Sequence, residues 1–332
     1  MSGAGPGGHR LLRDVGEDGL VQALLARYRT PSAVLIVGPG DDAAVLDVAG
    51  PVVVSTDTLV EGTDFRWEWS TAADVGVKVA AQNLADVAAM GARPVALVVS
   101  LAAGPDLPLD WADGLTRGLG DECARAGAVV AGGDVSQAGQ VVLTGTALGV
   151  LDGPPVLRSG ARPGDVVALA GTTGPSAAGL ALLVSAGSVP GALALTAAGS
   201  ALVAAHLAPR PPYPAGPDAA HAGATALIDT SDGLLRDAGR IAAAAGVRID
   251  LDPAALAPDD ALLDAARAIG DESLAARWVL TGGEDHALLA CFPSGAELPA
   301  GFRRIGRVLD GEPGVAVGGV PWKGPDGWHH FG

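Results

Sequence analysis

Carboxylates recur in this chain at the mouths of apolar runs. Asp41 and Asp42 follow the turn Gly38-Pro39-Gly40, and the run Val52-Val53-Val54 ends in Ser55-Thr56-Asp57. Asn83-Leu84-Ala85-Asp86 lies in a helical stretch, and Gly132-Gly133-Asp134 follows the apolar run from Gly127 to Val130. Asp229-Thr230-Ser231-Asp232-Gly233 follows Leu227-Ile228, and Gly282-Gly283-Glu284-Asp285 precedes Ala287-Leu288-Leu289-Ala290. A single Asp beside Gly is an ordinary turn; its return at several strand ends points to a site for a hard cation. Mg2+ takes carboxylate, hydroxyl and water oxygens in an octahedron and usually bridges to substrate phosphates. Asp86 stands among Val79, Leu84 and Val87, where an unpartnered carboxylate is costly. Either a metal or a hydrogen bond to a neighbouring loop must hold it.

Such a donor set suits phosphoryl transfer, which needs positioning and charge neutralisation more than covalent help. An acceptor that is itself a phosphate monoester is already ionised near neutral pH and needs no general base. The sequence shows no recognisable nucleophile-histidine-acid arrangement. Divalent ions in a carboxylate cage let two polyanions meet, and Arg158 offers a fixed positive fork to nucleotide phosphates. Gly171-Thr172-Thr173-Gly174, which feeds a helix from Pro175, reads either as a phosphate cradle of backbone N–H groups or as a tight turn. His286, His329 and His330 match no zinc spacing and read as surface or packing histidines. Trp328, close to a polar terminus, could form a stacking lid over an aromatic ligand.

Composition narrows the partners. The 332 residues carry a formal net charge of -16. A surface of that sign repels phosphate backbones, which argues against a nucleic-acid partner and means that an anionic nucleotide needs metal ions or local arginines. Lys78 and Lys323 are the only lysines and neither completes a Walker loop. Cys123 and Cys291 stand far apart, which speaks against structural zinc and a disulfide framework and fits a cytoplasmic protein. The Gly-rich residues Met1 to Gly8 lack the apolar core of a secretory signal. The small-residue run Ala192 to Ala208 is interrupted by Thr196, Ser200 and His206, so it reads as one buried helix rather than a membrane span.

Hydrophobic residues make up 49% of the chain, ample for two cores. The spacing predicts a helix over 19–28, two or three strands between Ala33 and Val60, and a strand or sheet edge at Phe65 to Ser70 with Trp67 and Trp69 alternating. It continues with a helix over 74–90, a strand over 95–101, a helix over 109–126, a strand over 128–131 and a strand over 141–150. Asp152-Gly153-Pro154-Pro155 is a rigid turn of the kind that separates domains. This sets a flexible terminus at 1–15, an N-terminal domain at 16–153 and a C-terminal domain at 154–332. The second half reads as a strand over 166–170, a helix from Pro175, a proline-dense loop over 209–217, and a helix over 235–245. It then gives a strand over 247–251, a helix over 259–269 and a strand over 302–309.

Taken in order, Gly40-Asp41-Asp42, Ser55-Thr56-Asp57, Asn83-Leu84-Ala85-Asp86 through Met90-Gly91-Ala92, Gly132-Gly133-Asp134, Arg158-Ser159-Gly160-Ala161, Asp229-Thr230-Ser231-Asp232-Gly233-Leu234 and Gly282-Gly283-Glu284-Asp285 resemble the motifs of thiamine-monophosphate kinases. That family sits with aminoimidazole ribonucleotide synthetase, selenophosphate synthetase and a hydrogenase-maturation protein, and the resemblance runs from about Gly16 to Phe331. It implies an α/β (α+β) fold of two domains: an N-terminal α/β domain with dimer-forming strands and a C-terminal α+β domain, with ATP in the cleft between. It implies ATP- and Mg2+-dependent, in-line phosphorylation of thiamine monophosphate to thiamine diphosphate by a cytoplasmic homodimer, with no nucleic acid or membrane as partner. By resemblance, Asp42, Ser55, Thr56, Asp57, Asp86, Asp134, Asp229 and Asp232 hold several magnesium ions, and Asp57, Asp134 and Asp232 are catalytic. Gly133, Asp134, Arg158 and Ser231 meet ATP, while Asp64, Glu284 and Trp328 lie at the acceptor. The sequence departs from the family at Asp64, usually His, and at His286-Ala287, usually Tyr-Glu, both expected near the acceptor pocket rather than the cage. The alternatives are an ATP-dependent ligase or cyclase of the same superfamily, a kinase for a different phosphate monoester, and a non-enzymatic maturation or scaffold role that leaves the acid cage unexplained.

Overall fold

The structure is a computed structural model and describes residues 10–28, 33–40 and 43–329. Its elements in chain order begin with α1 (Leu12–Leu25), β1 (Leu35–Val37), β2 (Val45–Leu46), β3 (Val52–Val60), α2 (Ala72–Ala88), β4 (Arg93–Ala103), α3 (Leu109–Arg125), β5 (Val129–Gln137) and β6 (Val142–Val150). A 3-10 turn at Arg158–Gly160 leads into β7 (Val166–Ala170), α4 (Pro175–Ala186), α5 (Val189–Leu195), α6 (Gly199–Leu207), α7 (Ala215–His221), β8 (Ala226–Thr230) and α8 (Leu234–Ala245). The chain finishes with β9 (Arg248–Leu251), α9 (Asp260–Ile269), α10 (Ser273–Thr281), β10 (Ala287–Phe292), β11 (Phe302–Leu309), β12 (Gly314–Val317) and β13 (Val320–Pro321).

The chain forms two compact units. One comprises Met1–Ala49, Thr56–Ala80 and Val95–Ala147; the other comprises Gly50–Ser55, Ala81–Pro94 and Leu148–Gly332. Four strands pair in the order β3-β6-β4-β5, with β4 and β5 parallel so that Val99 faces Gly133 and Ser100 faces Asp134. In the first unit, α2 and α3 cross on two glycines. A Cβ on Gly118 would overlap the Ala73 carbonyl oxygen, and one on Gly76 the Leu115 carbonyl oxygen. Gly133 serves the sheet likewise, since a side chain there would strike the Val99 carbonyl.

The second unit is built on a seven-stranded sheet in the order β13-β12-β9-β11-β7-β10-β8. Every residue of β7, β8 and β10 is buried, which is why β7 and β10 read as unbroken apolar runs rather than alternating ones, while β8 carries Asp229 and Thr230 into the interior at its end. β8 and β10 run antiparallel with Asp229 opposite Leu288 and Thr230 opposite Ala287, which brings the 229–233 and 282–286 loops side by side. The helix termini follow local chemistry: Asp259 accepts from the Leu262 N–H at the start of α9, and Gly187, Gly246 and Gly270 close α4, α8 and α9 in the left-handed region.

Several expectations change. Ala192 to Ala208 forms α5 and α6 with a break at Thr196–Ala198, not one helix. Phe65 to Ser70 makes no strand: it turns, with Trp67 stacked on Trp111 at 4.8 Å and Arg66 lying 4.8 Å from the Trp69 ring centroid. Gly132, Gly133 and Asp134 lie inside β5 rather than beyond its end, and α1 begins at Leu12, continuing through a kink at Gly16. α7 starts within the proline-dense stretch, where the fixed φ of Pro214 and Pro217 suits a first helical turn. α10 and the β12–β13 hairpin were not foreseen. Among the described residues no single helix is long and apolar enough to cross a membrane; α4 and α5 pass together on composition but are bent by 112°.

The α2–α3 crossing predicts that Gly118→Ala destabilises the protein by about 1–3 kcal/mol, the usual cost of overpacking against backbone that cannot retreat. Gly239→Ala, in α8 with only Val315 at ordinary contact distance, should be neutral or stabilising. Urea midpoints of the two variants measure the contrast; equal midpoints would mean that the crossing tolerates a methyl.

Candidate active site

A cluster of polar residues in the second unit lies where β8 ends and β10 begins. Asp229 is 3% exposed and its Oδ2 lies 3.1 Å from His286 Nδ1. A carboxylate only accepts, so Nδ1 carries the proton and donates. Burial acts to lower the His286 pKa, but the hydrogen bond and charge of Asp229, followed by the charges of Glu284 and Asp86, raise it overall. His286 therefore sits on a carboxylate of the expected magnesium set, not only near an acceptor pocket. Glu284 and His286 adopt φ of 64° and 51°, unusual for residues with a Cβ. Two backbone bonds hold them there: the Glu284 N–H donates to the Ser231 carbonyl at 2.8 Å and the His286 N–H to the Thr230 carbonyl at 3.0 Å.

Asp285, between them, points the other way. Its Oδ2 accepts from the Gly174 N–H at 2.6 Å and its Oδ1 from the Ser176 N–H at 2.9 Å. Burial pushes its pKa up to about 7, against the pull of these two amides. The N-terminus of α4, read above as a possible phosphate cradle, is thus filled by the protein's own carboxylate. Asp237 does the same for α8: it is fully buried, accepts from the Asp232 and Gly233 N–H groups at 3.2 Å each, and pairs with Arg240 at 2.5 Å. Burial and then the charge of Asp229 raise its pKa to about 7.

Asp232 is held by two guanidinium groups, Arg236 at 3.3 Å and Arg240. The segment before the C-terminus lies along this loop: the Trp328 N–H donates to the Asp232 carbonyl at 2.9 Å, and a Cβ on Gly327 would collide with that same oxygen. The Trp328 side chain is 59% exposed. Ser55 donates its hydroxyl to Asp86 Oδ2 at 2.6 Å, which brings two expected metal ligands together and gives Asp86 the loop bond foreseen as an alternative. Arg158 is exposed in its 3-10 turn, with no ion pair among the described residues.

In the first unit, Thr56 donates to the Gly145 carbonyl at 2.7 Å, and Asp57 is exposed, with Oδ1 accepting from the Thr58 N–H at 3.0 Å. Asp134 and Gly133 are exposed on β5, at the rim of a cavity of about 100 Å³ lined by Leu24, Leu25, Tyr28, Leu119 and Val130. Asp64 accepts from the Val60 N–H at 2.7 Å and so closes the turn after β3. Asp42 lies outside the described residues. The roles of Asp237, Asp285, His206 and the two arginines on Asp232 escaped sequence reasoning. Only Asp237, early in α8 and four residues from Gly233, carried a local signal, that of an acidic residue in a first helical turn.

Do these residues fit magnesium? Every donor in the expected set is a carboxylate or hydroxyl oxygen, and the buried Thr230 hydroxyl beside Asp229 has no hydrogen-bond partner among the described residues. No three His, Cys, Asp or Glu side chains converge on one point among the described residues. Mg2+ does not require that, since it is commonly held by one or two carboxylates, waters and the substrate's own phosphates. The set fits.

The chain is of the aminoimidazole ribonucleotide synthetase type: a model of the AIR synthase related protein N-terminal domain matches residues 40–151. The chain is 49% identical over 324 residues to thiamine-monophosphate kinase of Mycobacterium tuberculosis, covering 97% of this chain and 93% of that one. It is 42% identical over 301 residues to the Corynebacterium glutamicum protein of the same name, covering 88% of each. The solved structure of AaThiL complexed with AMPPCP and TMP superposes with a TM-score of 0.78 at 31% identity, covering 97% of this chain and 99% of that one. The chain belongs to the thiamine-monophosphate kinase family.

The buried cap on α4 has a pH signature. A carboxyl whose pKa is raised from 3.8 to about 7 on folding contributes stability that is complete below about pH 4 and is lost as the pH climbs through 7. Asp285→Asn keeps one acceptor oxygen and cannot ionise, so its stability relative to the wild type should improve between pH 4 and 8. Melting temperatures across that range test this; a constant difference would show that Asp285 does not titrate there.

Proposed function

We propose that this chain transfers the γ-phosphoryl group of ATP to thiamine monophosphate in line, giving thiamine diphosphate. The observation that carries the reading is the set of oxygen donors on β3, α2 and β8, with Ser55 bonded to Asp86 and Asp229 bonded to His286, in a chain 49% identical to a thiamine-monophosphate kinase. The neighbour AaThiL, solved with AMPPCP and TMP, supports the nucleotide and acceptor classes. Asp42, Ser55, Thr56, Asp57, Asp86, Asp134, Asp229 and Asp232 would hold magnesium, which when bound neutralises the phosphate charges that must approach one another. Asp232 shares its charge with Arg236 and Arg240, whereas Asp57 and Asp134 are exposed on their strands.

Gly133 and Ser231 offer backbone to the nucleotide and Arg158 an exposed guanidinium, while the apolar cavity beside Gly133 and Asp134 suits part of the base. Glu284 and Trp328 face the acceptor, and Asp64 braces the turn near it. No residue need act as a general base, because the acceptor phosphate is ionised before it binds. β3 is an edge strand whose Val52 and Val54 are 46% and 62% exposed, which supports a homodimer built through that edge. Two buried thiols, both free, accord with a reducing, cytoplasmic setting.

Incubation with ATP, Mg2+ and thiamine monophosphate should yield ADP and thiamine diphosphate, identified by mass; release of inorganic phosphate with no diphosphate would favour the ligase-type alternative. Asp57→Asn and Asp134→Asn should each lower turnover by about a hundredfold with folding nearly unchanged, as loss of one preorganised electrostatic group does elsewhere. Calorimetry should find ATP affinity collapsing in EDTA, since a chain of charge -16 has little means of holding the bare nucleotide; equal affinity would count against the cage.

A further inference from the structure

His206 plays no part in the reaction outlined above, yet it is buried against the residue that meets the acceptor. It sits in the last turn of α6, 6% exposed, with Nδ1 3.3 Å from Glu284 Oε2 and 3.2 Å from the Ser176 hydroxyl. The Glu284 side chain is 35% exposed, so one face of the carboxylate reaches the surface while Oε2 is anchored inward. Glu284 also stands at φ 64°, a conformation that costs energy for a residue with a Cβ and persists only where the surroundings hold it. An ionised carboxylate has no proton to give, so the contact is favourable with the proton on His206 Nδ1. Ser176, whose own N–H is tied to Asp285, supplies a second fixed group to that nitrogen.

We propose that His206, backed by Ser176, is a positioning residue for Glu284, fixing the acceptor-side carboxylate in its productive direction. The proposal rests on the reading of Glu284 as an acceptor contact. Without the imidazole the backbone of Glu284 is still pinned to Ser231, but its side chain loses the contact that anchors Oε2 inward, so the loss falls on acceptor binding. Losing that anchor, together with a misdirected carboxylate, is worth about a factor of ten in affinity.

The test uses the full chain and four substitutions. His206→Leu removes the donor at similar volume, and His206→Asn keeps an amide N–H near the place of Nδ1. His206→Gln sets that amide one carbon further out, and Glu284→Ala removes the partner. KM for thiamine monophosphate should rise about tenfold in His206→Leu while KM for ATP stays within twofold, and His206→Asn should recover most of the loss. In the Glu284→Ala background, His206→Leu should add less than twofold. An unchanged acceptor KM in His206→Leu, an equal rise in both KM values, or a full tenfold effect in the Glu284→Ala background would each overturn the proposal. If His206→Leu does not fold, the Asn and Gln variants decide: Asn near wild type with Gln impaired supports positioning, and equal behaviour overturns it. A wild type that makes no thiamine diphosphate overturns the functional reading and this proposal with it, whereas an active wild type with an unaffected His206→Leu overturns this proposal alone.

Discussion

A carboxylate removed from water must find donors or lose its charge, and this strongly acidic chain buries Glu122, Asp165, Asp229, Asp237 and Asp250. Almost without lysines, it satisfies them with backbone amides, a hydroxyl, arginines and a histidine. Asp237 takes two amides of its own helix start and Arg240; Asp250 takes the Gly319 N–H and Arg307; Asp165 takes the Arg162 N–H and the Thr225 hydroxyl; Glu122 takes Arg125; Asp229 takes His286. Asp285 belongs with them, tied to the first amides of α4. Where the donor is a backbone amide, as for Asp165, Asp237, Asp250 and Asp285, the buried acid also holds a loop or a helix start in place. Asp57 and Asp134, by contrast, lie exposed on β3 and β5.

The same bonding explains how two loops can carry strained residues side by side. Glu284 and His286 hold left-handed backbone because their N–H groups extend the β8–β10 ladder by two more steps, to Ser231 and Thr230. With the backbone turned that way, successive side chains diverge. Glu284 goes to His206, Asp285 to α4 and His286 to Asp229, so three consecutive residues link three separate elements. Gly283 precedes them because a side chain there would meet the Ser231 carbonyl, and Gly233 because its φ of 125° and the nearby Thr281 carbonyl exclude a Cβ. The glycines of these motifs are therefore demands of close backbone approach.

This divides what the sequence tells from what it withholds. The run of β7 was readable because complete burial removes alternation, but Asp57 and Asp134, expected where strands end, lie inside β3 and β5. Pairings across long stretches of chain were not readable. Nothing around Gly174 announces that Asp285 caps it from 111 residues away, and nothing around His206 announces Glu284. The strand expected at Phe65 to Ser70 failed because alternating tryptophans mark a strand only if both pack on one sheet, whereas Trp67 stacks on Trp111 of α3 instead. The Ala192 to Ala208 run broke into α5 and α6 because small residues permit a close crossing: α6 passes α4 where a Cβ on Gly179 would strike the Leu202 carbonyl.

The two departures from the family pattern take on a different weight in this light. A carboxylate at position 64 in place of an imidazole suggests a poorer home for an acceptor phosphate, yet Asp64 points one oxygen at the Val60 N–H and its carbonyl accepts from Lys78 Nζ at 3.0 Å. That bonding gives Asp64 a structural task at the end of β3 whatever lies beyond it. At position 286 the imidazole does what a phenol hydroxyl could also do, namely donate one hydrogen bond to a buried carboxylate, but it does so with a group able to carry positive charge. An arrangement in which Asp229 shares its charge with His286 while Asp232 shares its own with two arginines lowers the repulsion between neighbouring acids before any cation arrives. The departure at His286 thus bears first on how the acidic loops are held together, and only through Glu284 on what they recognise.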